Sequence, residues 1–68
     1  MKHFEVEIKR GLVKIRPLPS STGPFVGVWS EFTAGARVHG LYVSDILELS
    51  EEGHFVINER LEIVDTLD

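Results

Sequence analysis

Three histidines, His3, His39 and His54, are the residues of this chain best suited to proton transfer or metal binding. No two of them have the His-x-His or His-x-x-x-His spacing that brings two imidazoles to one metal, and the chain contains no cysteine. We therefore expect no metal site and no cofactor. A metal- or small-molecule-dependent activity around His39 and His54 is the weakest of three functional hypotheses.

Nucleophilic catalysis has no recognisable motif in the sequence. There is no Gly-x-Ser-x-Gly elbow, and no serine is tied by its spacing to a base. Most carboxylates fall in predicted turns or on the polar side of predicted strands, where solvated charges are usual. A chain of 68 residues also has little room for a closed pocket. The sequence favours a non-catalytic protein over an enzyme.

Basic residues are concentrated in the first third of the chain. Residues 1–23 carry five Lys or Arg and two carboxylates, whereas residues 24–68 carry two Arg and nine carboxylates. Nucleic-acid binding is therefore the second hypothesis, with Lys2, Lys9 and Arg10 as the basic contacts. The overall pI of about 5.2 argues against it, because a basic footprint is the first expected sign of such a partner.

Residues 17–24 hold three prolines and a glycine, which predicts a loop. The hydroxyls of Ser20, Ser21 and Thr22 are candidate donors to an anion. The phosphate-binding pattern with its lysine is missing, so a crossover loop is the favoured interpretation.

The first two strands are predicted from a clean alternation of apolar and charged residues. A two-residue turn at Arg10-Gly11 gives one register, and its pairs are Ile8 with Val13, Val6 with Ile15, Glu7 with Lys14, and Glu5 with Arg16. This register gives two of the basic residues carboxylate partners, which further weakens the nucleic-acid hypothesis.

Residues 25–43 predict a central hairpin with a four-residue turn at 33–36. Its predicted pairs are Val28 with Leu41, Val26 with Val43, Trp29 with Gly40, and Tyr42 with Gly27. Both faces of this hairpin carry apolar bulk, which is typical of a strand pair that meets a partner or closes a barrel. The candidate partner-binding residues are Phe25, Trp29, Tyr42, Arg37 and His39.

Residues 44–66 allow two interpretations. Ser44 or Asp45 could begin a short helix, but the favoured prediction is a strand carrying Leu47 and Leu49, opened by at most one helical turn near 44–47. A further hairpin follows, with a tight turn at 58–60. The predicted strand pairs Leu49 with Phe55 and Leu47 with Ile57 across a loop at 50–54, and the hairpin pairs Ile57 with Leu61 and Phe55 with Ile63.

Together these elements predict one domain over residues 1–68, mainly β. The expected fold is a small antiparallel meander curled into a five- or six-stranded barrel or a strongly bent sheet. It resembles SH3-like and Sm-like small barrels in strand number and loop lengths only. No apolar run approaches the ~20 residues that span a bilayer, and the start lacks a signal-peptide stretch, so we expect a cytoplasmic protein without membrane contact.

The leading functional hypothesis is a small non-catalytic interaction module that self-associates or binds another protein. A chain this short buries only about 60% of its unfolded surface, and association is a common way to bury more. Nucleic acid remains the alternative partner.

Overall fold

The computed structural model describes residues 2–18 and 29–67. Phe25 and most of the predicted loop at 17–24 lie outside these residues, as do the predicted partners Val26, Gly27 and Val28. The described residues form seven strands and one helix: β1 His3–Lys9, β2 Leu12–Pro17, β3 Ser30–Phe32, β4 Arg37–Val38, β5 Leu41–Tyr42, α1 Val43–Leu49, β6 Gly53–Asn58 and β7 Ile63–Thr66. Pro17, expected in the loop, is the last residue of β2 and pairs with Phe4.

The β1–β2 hairpin has the predicted register in all four pairs, including Glu5 with Arg16. Its turn residues have positive φ, 54° at Arg10 and 79° at Gly11. Positive φ at both central positions is typical of the two-residue turn that matches the twist of the flanking strands. The charge pattern and the apolar pattern therefore specified one register together.

The predicted central hairpin is wrong over the residues that the structure describes, 29–43. β3 pairs with β2, placing Phe32 opposite Val13, and β4 pairs with β5 around a turn at His39-Gly40. Tyr42 thus faces Arg37, and Leu41 faces Val38. The strand pattern predicts a local pairing, but residues 30–32 extend the β1–β2 sheet.

The favoured strand at residues 44–49 is also wrong, because residues 43–49 form helix α1. Val43 and Ile46 are both fully buried. A helix brings positions three apart to one face, whereas a strand would have sent these two side chains to opposite faces. Tyr42 is the N-cap residue and makes no side-chain cap hydrogen bond, so neither Ser44 nor Asp45 begins the helix as a cap.

β6 and β7 form the predicted hairpin in a different register. Ile57 pairs with Ile63 and Phe55 with Thr66, with a bulge between them. The Asn58 side chain organises the turn: its Oδ1 accepts hydrogen bonds from the backbone N–H groups of Arg60 and Glu62, at 2.8 and 3.0 Å. The Asn58 N–H also donates to the Glu62 carbonyl at 3.0 Å, so the turn covers residues 59–61, one position later than predicted.

The five long strands form one antiparallel sheet in the order β3-β2-β1-β6-β7, and β4–β5 form a separate pair. One face of the sheet holds the core with α1 and β4. The buried apolar residues of this core are Phe4, Val6, Ile8, Val13, Ile15, Val38, Val43, Ile46, Phe55 and Ile57. Among the described strands β3 and β7 are opposite edges and do not pair, so the predicted barrel is not confirmed.

Candidate functional site

The predicted partner-binding residues that the structure describes fall in two places. Tyr42 and Arg37 pair in the β4–β5 hairpin, where the guanidinium carbon lies 5.2 Å from the Tyr42 ring centroid. His39, in the turn of that hairpin, stacks on Phe4 with the two ring centroids 5.0 Å apart. Trp29 instead contacts side chains on the opposite face of the sheet. The structure therefore does not unite these residues in one surface.

A polar cluster occupies the sheet face turned away from the core. It consists of Glu5, Arg16, Trp29 and His54, and we call it the outer-face cluster. Arg16 donates from Nε and Nη2 to Glu5 Oε1 at 3.0 and 2.8 Å, and His54 Nε2 donates to Glu5 Oε2 at 2.6 Å. The Arg16 guanidinium carbon lies 4.4 Å from the Trp29 ring centroid, and the Trp29 and His54 rings are 6.3 Å apart.

Strand pairing explains how these residues meet. Glu5 lies on the central strand β1, opposite Arg16 of β2 on one side and next to His54 of β6 on the other. The sequence predicted the Glu5–Arg16 pair. It gave no signal for His54, which is 49 positions from Glu5 and reaches it only through the β1–β6 pairing.

The Glu5 carboxylate is almost buried, with 11% of its side chain exposed. Burial by itself raises the pKa of Glu5, but the hydrogen bonds and charges of Arg16 and then His54 outweigh burial, and the pKa is lowered below its ordinary value of 4.5. Both carboxylate oxygens have donors. The arrangement therefore fits an ionised structural clamp across three strands.

The two histidines of the metal hypothesis do not share a site. His39 stacks on Phe4 and His54 bonds to Glu5, and these neighbouring residues of β1 point to opposite faces of the sheet. Within residues 2–18 and 29–67, no group of three or more His, Asp or Glu side chains is placed to hold a metal ion.

The cations of the nucleic-acid hypothesis are separated. Lys9 and Arg10 lie at the β1–β2 turn, whereas Lys2 precedes the other end of β1. Seven strand residues span roughly 20 Å. A groove of about 300 Å³ near the turn has mixed lining: Glu7, Lys9, Arg10, Leu12, Lys14 and Glu31. Nucleic-acid binding stays a prediction, and its basic residues do not form one patch.

A more distinctive surface lies at the edge strand β7. Ile63, Val64 and Leu67 are 45%, 49% and 40% exposed, although all three are large and apolar. β7 pairs with β6 on its inner side, and no other described strand pairs with its outer side. Ile63 pairs with Ile57 and Asp65 pairs with Val56, so Val64 is the extra residue of the bulge in β7.

A groove of about 290 Å³ adjoins β7 on the core side of the sheet. It runs between the end of α1 and β7, and its apolar lining is Leu49, Phe55 and Ile63, with Ser50, Glu52 and Thr66 among its polar residues. This volume is at the lower end of the range for small-molecule sites, about 300–1,000 Å³. It suits an inserted side chain better than a cofactor.

The surroundings of β7 are acidic. Residues 51–67 contain five carboxylates and a single Arg or Lys, Arg60. All five carboxylate residues are exposed: Glu51, Glu52, Glu59, Glu62 and Asp65. The predicted pairing of Ile63 with Phe55 gave no sign that Ile63 would be exposed at a sheet edge, so the combination of an exposed apolar edge with acidic surroundings could not be predicted.

Comparison with known proteins identifies no relative: no family model, curated protein or solved structure matches the chain. In the part of the chain that the structure describes, no helix is long and apolar enough to cross a bilayer.

Proposed function

We propose that this protein is a non-catalytic interaction module that binds an extended segment of a partner protein along β7. The observation that carries the proposal is the exposed apolar edge formed by Ile63, Val64 and Leu67. A strand at the edge of a sheet presents unpaired backbone N–H and C=O groups to any incoming strand. Binding by strand addition uses those groups for affinity and the neighbouring side-chain pockets for specificity.

Residue composition supports β7 as a binding edge. Sheet edges are commonly protected by lysine, proline or inward-pointing charges. β7 contains neither lysine nor proline, and Asp65 is its one charged residue. The bulge at Val64 bends β7, so an added strand has to follow this bend.

Burial of the exposed apolar side chains would contribute to binding. Complete burial of an Ile, Val or Leu side chain is worth about 1.5–3 kcal/mol. Since Ile63, Val64 and Leu67 are already about half covered, their remaining burial contributes about 2–4 kcal/mol in total, before the entropic cost of association. This amount fits a moderate-affinity, reversible interaction.

Closure of the sheet into a barrel would require β3 to pair with β7 and would occupy the same edge. The proposal therefore takes the sheet to be open. Trp29 has a separate role in it: its ring lies against the Arg16 guanidinium in the outer-face cluster, and it is not the anchor of the partner.

The test is affinity capture from nuclease-treated host extract with three forms of the chain. Val64→Lys places a charge on the edge, and Leu12→Lys is the matched control, because Leu12 is 42% exposed and lies in β2. We expect a captured protein that is lost with Val64→Lys and retained with Leu12→Lys. Once purified, that protein should shift the NMR signals of β7 first. Equal capture by all three forms, or shifts centred away from β7, would overturn the proposal.

A further inference from the structure

We propose that the segment accepted by β7 alternates apolar and basic residues and comes from a different protein, not from a second copy of this chain. This inference rests on the proposed function and adds the chemistry of the partner.

The two sides of β7 impose the alternation. Successive side chains of an added strand point to opposite faces of the sheet. On the core side they meet the groove lined by Leu49, Phe55 and Ile63, which favours apolar residues. On the outer side they meet Asp65, whose partner Val56 lies beside Glu5 on the outer face. Because Glu5 is already bonded to Arg16 and His54, the Asp65 carboxylate is the group there that favours lysine or arginine.

Longer-range charge favours the same partner. Each of the five carboxylates in residues 51–67 is exposed, and Arg60 is the single cation of the Lys or Arg type among them. Complementary charge accelerates association and suppresses partners of like charge. A basic segment is therefore attracted to this end of the molecule, and an acidic one is repelled.

A second copy does not supply such a segment from its described edges. The edge strand β3 contains Glu31 and the edge strand β7 contains Asp65, so neither edge of a second copy offers a lysine or arginine to β7 and each adds a carboxylate. Like charges opposite each other destabilise a strand pair. β2 has the required alternation, with Val13 and Ile15 apolar and basic residues between and after them, but it lies inside the sheet and pairs on both sides.

The probe is a fluorescently labelled ten-residue peptide that alternates valine and lysine, measured by anisotropy with the full chain. Two peptides serve as controls. One alternates valine and glutamate. The other contains the same valines and lysines as the probe, but with the valines in one block and the lysines in another. We expect the alternating basic peptide to bind at least tenfold more tightly than either control and to weaken when salt is raised. Asp65→Lys should reduce its affinity several-fold, whereas Glu31→Lys on the opposite edge should not.

The outcomes separate this inference from the proposed function. If the glutamate peptide binds as tightly and both peptides lose affinity with Val64→Lys, the charge preference is overturned and strand addition stands. If peptide binding is unaffected by Val64→Lys, binding along β7 itself is overturned. Light scattering of the chain alone completes the test: a dimer that dissociates with Val64→Lys would identify a second copy as the occupant and overturn the inference.

Discussion

Replacing Glu5 with glutamine should strongly destabilise the fold at neutral pH. The Glu5 carboxylate accepts three hydrogen bonds, two from Arg16 and one from His54, and each of these donors carries or can carry a positive charge. Hydrogen bonds to charged groups contribute about 1.5–3 kcal/mol, against 0.5–1.5 kcal/mol for neutral ones. Glutamine has the same shape, but it offers one acceptor oxygen where the carboxylate offers two.

We expect E5Q to lower the free energy of unfolding by about 2 kcal/mol. The loss is no larger because Arg16 and His54 are each roughly a quarter exposed and can regain hydration. For a domain of this size, 1 kcal/mol changes Tm by about 4–8 °C, so E5Q should melt roughly 8–16 °C lower. Thermal unfolding followed by circular dichroism measures this shift. Glu7→Gln is the matched control: Glu7 lies on the same strand and face but makes no side-chain hydrogen bond to a described residue.

The effect of E5Q should depend on pH in a defined direction. Burial raises the pKa of Glu5, but the bonds from Arg16 and His54 outweigh burial and lower it below the ordinary 4.5. A carboxyl group with a lowered folded-state pKa contributes stability that is complete above its unfolded value and is lost as pH falls through the folded value. The difference between wild type and E5Q should thus be complete at pH 7 and shrink below pH 4.5. Melting temperatures within about 2 °C of each other at pH 7, or a difference that persists in strong acid, would refute this account of the clamp.

Three further substitutions, the first with a matched control, test the fold. Gly11→Ala should lower the free energy of unfolding in urea by about 1–2 kcal/mol, because φ is +79° and alanine is strained there. An added Cβ meets nothing within 4 Å at either Gly11 or Gly35, so steric contact does not contribute. Gly35→Ala, where φ is ordinary, is therefore the control and should cost less than about 0.5 kcal/mol. Arg10→Asn should raise the urea midpoint, since asparagine tolerates the positive φ of 54° better than arginine; an unchanged or lower midpoint would contradict that explanation of the turn. Ile46→Ala should lower the free energy of unfolding by about 2–5 kcal/mol, which is comparable to the whole stability of a small domain. Circular dichroism at 25 °C should therefore show a largely unfolded chain. A cooperative transition near the wild-type midpoint would show that α1 contributes little to the core.

Local patterns predicted the parts of the fold that local interactions determine. The β1–β2 register was predictable because a shift by one residue would have exposed Val6 and Ile8 and separated Glu5 from Arg16. The β6–β7 hairpin was predictable as a hairpin but not in register, since the turn lies one position later than predicted and a bulge follows it.

Interactions between distant residues account for the rest. Residues 30–32 pair with β2 rather than with the residues that follow them, and β1 pairs with β6 across most of the chain. The sequence therefore supplied Glu5 and Arg16 of the outer-face cluster but not His54. Helix α1 was the less favoured of two interpretations because Leu47 and Leu49 alternate as in a strand, whereas the buried pair Val43 and Ile46 has helical spacing.

Helix α1 is the element most dependent on its neighbours. It has seven residues, no side-chain cap at its N-terminus and no basic residue in its last turn. Isolated helices this short are unstable in water, so packing of Val43 and Ile46 against the sheet holds it in place. We expect its backbone amides to exchange with solvent through local openings that leave β1 closed.

These openings reach the groove beside β7, because Leu49 is both the last residue of α1 and part of the groove wall. Each local opening of the helix end therefore removes one wall of that groove. A segment that requires Leu49 in place would slow amide exchange in α1 when it binds β7, so occupancy of the sheet edge and order in the helix are thermodynamically linked.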